Sequence, residues 1–370
     1  MNIFVFLIIF FFLCAFAEKY FAVKTCFSEK RNNNHIKYIF WLFLIFFVAL
    51  YALRDFYHSS NDTRVYVSSF LQIGSLHYLL TSHPNFEKGY LLLIYLVSRL
   101  TLNPRAFMLL VGLFIYASIL HFIIRTSSRI SSPKISSKNI VFAIILFVIC
   151  GTFFSSTNLQ RQYIAISIIL FSHEYLFKKK YLKYYLLVLL AAQFHHSSLI
   201  CCLLPLLHYV KISYKSIIIF VSLVVAVLLF STTIVVWIIE NVSYFNEYSG
   251  WIQKESVFVS TNSAKLGPLC LFLIYSMFIV TLYNGINLKD KYQEFLFKIF
   301  CCGIIFMASS IHFSLTDRMS AFFMPFMFPL FANLPRKILF HVCFFVQLLF
   351  CLIVNTFRQD WTMFFPYHFM

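Results

Sequence analysis

Long apolar runs, separated by short polar turns, fill almost the whole chain. A membrane-spanning helix needs about 20 apolar residues. Runs of this kind cover 2–17, 36–53, 105–125, 139–156, 160–177, 216–238, 266–285, 292–311, 318–334 and 338–355. The run 183–210 is too long for one helix and is interrupted by Gln193, His195, His196, Ser197 and Ser198. It predicts two shorter helices that meet at the histidines. Two further segments, 64–82 and 87–103, mix His77, Glu87 and Arg99 with apolar residues. They predict amphipathic helices on the outer surface or dipping into it. The pattern therefore predicts an all-α polytopic integral membrane protein with about 12 transmembrane segments, two of them short broken helices, plus outer-face amphipathic helices. A single membrane domain over 1–370 is expected, with outer loops at 54–104 and 239–265.

Composition agrees with this class. Of the 370 residues, 61% are hydrophobic and 12% charged, against about 25% charged in a soluble domain. The net charge of +17 does not point to nucleic acid, because the basic residues fall in short blocks between apolar runs. The ten cysteines lie almost entirely within apolar runs and form no CxxC pair. Neither a metal site nor a disulfide framework is expected. Ala15-Phe16-Ala17 resembles a signal-peptidase site, but Lys19, Lys24, Lys30 and Arg31 follow the apolar run and no basic residue precedes it. A signal peptide has the opposite polarity, so an uncleaved first span with its N-terminus outside is expected.

Charge also orients the chain. With the loop 18–37 placed in the cytoplasm, alternation puts 125–138, 178–183, Lys211 with Lys215, Lys289 with Lys291, and Arg336 with Lys337 on the same side. That side then holds 19 of the 30 lysines and arginines, as the positive-inside rule requires. Arg54, Asp55, Asp62, Arg64, Glu87, Arg161, His195, His196, His312, Asp317 and Arg318 gather at the other face. The inner turns carry plain lysines. Any chemistry is expected on the outer face, away from nucleotide-activated donors.

Charged residues near apolar segments are costly and mark candidate function. Arg161 and Gln162 open the span 160–177, where free N–H groups and the helix dipole favour an anion and arginine adds a fork suited to phosphate. The bland alternative is an arginine reaching for head groups. His195, in "AQFHHSSL" (192–199), sits where a helix breaks, and a break at membrane depth is tolerated where it lines a cavity or is buried in protein. It could act as a general base or bind a diphosphate, or simply pack. Asp317 and Arg318 open another span; Asp317 also fits a plain N-cap. The first outer loop offers Asp62 as a base and Arg54 and Arg64 as cations, or is an ordinary solvated loop. The second holds Glu240, Glu247, Glu255, Trp251 and two tyrosines, a mix that suits sugar binding and interfacial aromatic belts alike. No DxD, P-loop, HExxH or GxSxG motif occurs.

The order of these pieces resembles the EpsG family of Wzy-type polysaccharide polymerases. The most specific part is 158–205: Arg161-Gln162 opening a span, the basic turn Lys178–Lys183, then Phe194-His195 with Ser197 or Ser198 and an aliphatic run to Pro205. Asp62 followed by Tyr66, Glu87-x-Gly89-Tyr90-x-x-Leu93, Asp317-Arg318, and a tail with Trp361 and Pro366-Tyr367 also match. Ser60 and Thr63 stand where the pattern has a glycine and an aromatic residue. The resemblance implies a multi-spanning glycosyltransferase of the bacterial cytoplasmic (inner) membrane, with its active site on the outer, periplasmic side. It would act on undecaprenyl-diphosphate-linked donor and acceptor glycans amid membrane lipid, alongside flippase and chain-length regulator proteins, without a cofactor, metal or nucleic acid. His195, Asp62 and Asp317 are then the expected catalytic residues. Arg161, Arg318, Arg54, Gln162, Glu87, Tyr66 and Tyr367 are the expected diphosphate and sugar ligands.

Three other classes compete. A flippase should show internal repeats and a polar path across the midplane; no repeat is visible, and the polar residues collect on one face. An O-antigen-ligase-like enzyme would share the donor and differ in the acceptor. A membrane acyltransferase needs a buried histidine fed from the cytoplasm, where His173 and Glu174 are the nearest candidates.

Overall fold

The structure, a computed structural model, describes residues 3–21, 29–56, 61–72, 77, 81, 86–130, 137–241, 266–311 and 314–357. It is all-α, with no β-strand among the described residues. Among the described residues, six helices are long and apolar enough to cross a membrane: α1 (Ile3–Phe21), α2 (Glu29–Leu53), α5 (Pro104–Ile130), α11 (Leu266–Gly285), α12 (Lys291–Ser310) and α15 (Ile338–Phe357). The bent pair α6 (Ser137–Ile149) and α7 (Thr152–Asn158) makes a seventh if it is one span.

The difference from about 12 expected segments has local causes. The run 139–156 bends by 55° at Gly151, whose φ of 76° is a conformation that glycine adopts without strain. The run 318–334 is cut into α13 (Ser314–Ser320), a 3₁₀ turn at Met324–Phe326 and α14 (Met327–Ala332). Pro325 lies in that turn and cannot donate an amide hydrogen bond. The run 183–210 divides as the polar interruption predicts, into α9 (Tyr181–Ala192) and a 3₁₀ helix His196–His208. Helix α8 (Gln160–Phe177) matches the expected run, its apolar character diluted by Gln160-Arg161-Gln162 at one end and His173-Glu174 at the other. Helix α10 spans Tyr214–Asn241. The two amphipathic segments give α3 (Asn61–Leu71) and α4 (Lys88–Ser98). Each has 11 residues, about 16 Å of helix, half of what a bilayer core requires.

The chain forms two compact units, 1–202 with 331–333 and 344–370, and 203–330 with 334–343. In the first, aromatic rings fill the core. Phe47 lies 5.0–5.6 Å from Phe153, Phe147 and Tyr116, and Gly112 lets α5 approach Tyr51, where a Cβ would stand 2.8 Å from the ring. Apolar surface gains little by leaving lipid, so such dense contact is what holds membrane helices together. In the second unit, Asp290 caps α12 by accepting from the Tyr292 amide at 2.9 Å. Gly303 makes room there for Phe323 and Met324, and Thr281 meets Cys343 at 3.1 Å.

Candidate functional site

The site is built where three chain segments end. Helix α4 begins at Glu87, α8 begins at Gln160, and α9 ends at Ala192 with a turn leading to His195. The turn and α4 touch backbone to backbone: the Tyr90 amide donates to the Gln193 carbonyl at 3.2 Å. Only a glycine fits at 89, because a Cβ there would lie 2.6 Å from Gln193 Cβ and 2.7 Å from its carbonyl oxygen. This close approach sets Glu87 beside the histidines.

The Glu87 carboxylate is buried and joins three groups. One oxygen pairs with the Arg161 guanidinium. The other lies 3.2 Å from His195 Nδ1 and 3.4 Å from the His196 amide, which donates to it. Arg161 stacks over Phe86, 4.4 Å from the ring centroid, and over Tyr66 at 5.9 Å. Tyr66, Phe86 and Tyr90 pack against one another at 5.5–5.9 Å, so the guanidinium sits against an aromatic wall. The Tyr90 hydroxyl donates to Gln160 Oε1 at 3.2 Å. Burial pushes the Glu87 carboxyl up, but the hydrogen bond with His195 and the charge of Arg161 outweigh it and hold the group below its ordinary range. Glu87 is therefore an anion that fixes a cation and an imidazole. With the proton of His195 on Nδ1 and directed at Glu87, the lone pair is on Nε2, a buried atom with no hydrogen-bond partner among the described residues. Gln160 Nε2 and Asn158 Oδ1 are in the same condition.

Of the expected residues, Glu87, Arg161, His195 and Tyr66 are in direct contact. Gln162 is buried at the next position of α8. Asp62 is half-buried in the first turn of α3, one turn before Tyr66. Arg54 is buried, donates to Thr63 Oγ1 at 2.9 Å and to the Thr157 carbonyl, and lies over the Tyr51 ring. It ties the first turn of α3 to α7. Asp317 and Arg318 lie on α13 in the second unit, where Ser320 Oγ donates to Asp317. Tyr367, His312, Glu247, Glu255 and Trp251 lie outside the described residues. Phe86 was not picked out by pattern, and Gln160 and Gln193 stood in the sequence only as polar residues in apolar runs, with no site role assigned. Gln160, directly before Arg161 in a helix of apolar residues, was the most readable of them. Among the described residues no group of three or more His, Cys, Asp or Glu side chains is clustered as a metal site.

No curated protein and no solved structure matches the chain. A sequence model of the EpsG family matches residues 37–369, nearly its whole length, and takes in every element of the Glu87–Arg161–His195 cluster. The chain belongs to the EpsG family, membrane proteins of polysaccharide biosynthesis.

Proposed function

We propose that this protein polymerises lipid-diphosphate-linked oligosaccharide repeat units on the outer face of the cytoplasmic membrane. The observation that carries the reading is one buried carboxylate, Glu87, holding a guanidinium and an imidazole together. Transfer of a glycan from a lipid diphosphate needs both. The acceptor hydroxyl oxygen bonds to the anomeric carbon of the growing glycan. The bond from that carbon to the diphosphate breaks, and its electron pair leaves with the diphosphate. The hydroxyl proton passes to His195 Nε2. Arg161 stabilises the charge gathering on the leaving group, an interaction strengthened by the dry aromatic wall, and Glu87 steadies the imidazolium that forms. Asp62, one turn before Tyr66 on α3, is the alternative base for the acceptor hydroxyl.

The test is a glycan gel from a host lacking the gene, complemented with wild type, Arg161→Ala or His195→Gln, with membrane insertion confirmed for each. Loss of long chains and build-up of single lipid-linked units in the deletion and in both variants is the expected result. Normal polymer from Arg161→Ala would end the diphosphate assignment. Long polymer that fails only to reach its final acceptor would mean a ligase. Units trapped on the cytoplasmic leaflet would mean a flippase.

A further inference from the structure

A second feature of the first unit takes no part in the chemistry above. A cavity of about 950 Å³ is bounded by α4, α5, α8 and α9. Its α8 wall runs from Ile164, one turn past Arg161, to Lys178, about 21 Å of helix. Helices α5 and α8 run the same way beside it: His121 stacks on Phe171, Phe122 meets His173, and Arg125 pairs with Glu174. The cavity is a groove open to the side, because Leu110, Phe114, Phe171 and Leu190 on its walls are exposed large apolar residues. Polarity is concentrated at one end. There Arg125, Lys178 and Lys180 line it with a single carboxylate, Glu174, which pairs with both Arg125 and Lys178. The opposite end, at Phe194 and Leu93, is apolar.

We propose that this groove seats a membrane phospholipid with an anionic head group. The phosphate lies against Arg125, Lys178 and Lys180, and an acyl chain runs along α8 toward Phe194. Three cations against one anion leave a local excess of positive charge, which selects an anionic head over a zwitterionic one. An apolar trough with one charged end has the polarity of a single amphiphile, whereas a soluble ligand would need polar groups along the trough as well. The chain's far end lies beside the residue preceding His195, so the lipid also floors the Glu87–Arg161–His195 cluster and keeps water from entering beneath it. The proposal stands independently of the polymerase reading.

The test uses the full chain in mild detergent, titrated with phosphatidylglycerol or phosphatidylcholine and read by native mass spectrometry. One tightly retained phosphatidylglycerol is expected, in preference to phosphatidylcholine. The double variant Lys178→Gln/Lys180→Gln, at exposed positions that leave Arg125–Glu174 in place, should weaken it about tenfold or more. Removing the same charge elsewhere, with Lys211→Gln/Lys215→Gln, should leave it unchanged. Leu190→Trp, which fills the groove from an exposed position, should displace the lipid. Equal loss in both lysine pairs would reduce the effect to general surface attraction and overturn the proposal. So would a polyprenyl phosphate that outcompetes phosphatidylglycerol and ignores Lys178 and Lys180.

Discussion

Helix α8 carries a carboxylate–guanidinium pair at each end, and the two pairs live in different media. At its start, Arg161 and Glu87 have side chains only 17% and 6% exposed, walled by Phe86 and Tyr66 and shared with His195. At its other end, Arg125 is 55% exposed beside Glu174 at 17%, with Lys178 as a further partner. The charges are the same and the distances comparable. What differs is the water around them. Screened pairs contribute little, whereas a buried charge stripped of its partner is left without solvation. The first pair can hold a reaction geometry and act strongly on a neighbouring charge; the second can greet a lipid head without much cost to the fold. Position along the same helix thus separates a candidate catalytic cluster from a candidate docking cluster.

The largest break in that comparison should come from Glu87→Gln. It leaves Arg161 and His195 without their shared anion, and unfolding in mixed detergent micelles should show a loss of about 3 kcal/mol together with loss of polymer. Glu174→Gln, the matching change at the other end, should leave polymer intact. Next comes Gly89→Ala. The added Cβ meets the backbone of Gln193, which cannot swing aside as a side chain tip could, so about 1–3 kcal/mol of stability is at stake. Moving α4 from the turn also shifts Glu87 relative to His195, and polymer yield should fall by about 100-fold. Gly151→Ala offers the contrast: nothing lies within 4 Å of a Cβ there, and the expected cost is about 1 kcal/mol of left-handed strain.

These contrasts also mark what could be read from sequence. The long helices were legible because an unbroken apolar run has one stable form in a bilayer. The break at His195 was legible because five polar residues interrupt such a run. The bend at Gly151 was not, because one glycine in an apolar stretch is equally compatible with a straight helix. Arg161 and His195 stood out one at a time as costly residues at helix ends. Their common partner did not: Glu87 lies 74 residues from Arg161 and 108 from His195, and periodicity says nothing over such separations. Gly89 entered only through the family resemblance, and Glu87, already counted among the outer-face charges, received a ligand role only there. Arg54 shows the reverse. In sequence it was a loop cation suited to phosphate; in the fold its guanidinium is turned inward onto Thr63 and the Thr157 carbonyl.

A smaller effect should separate the pairs by acid. The Glu87 carboxyl is held below its ordinary value of 4.5, so folding favours its ionised form. That contribution is fully present above pH 4.5 and is lost as pH falls through the depressed value. Wild type should therefore lose stability on the acid side of this window more steeply than Glu87→Gln, which has no carboxyl to protonate. The check is the unfolding midpoint of both proteins from about pH 6 to pH 3. Parallel curves would mean that Glu87 is not held as an anion.

The smallest effect belongs to the exposed pair. A double-mutant cycle on Arg125→Ala and Glu174→Gln should give a coupling of at most about 1 kcal/mol. Added salt should shrink it, because the charges of half-exposed Arg125 are screened within about 10 Å at 0.1 M. The same cycle on Arg161 and Glu87 should give a larger coupling that salt barely moves. If the Arg125–Glu174 coupling instead equalled the buried one, exposure would not be what separates the two ends of α8. The basic end would then be a rigid structural clamp, and its arginine would have no guanidinium to spare for a phosphate head.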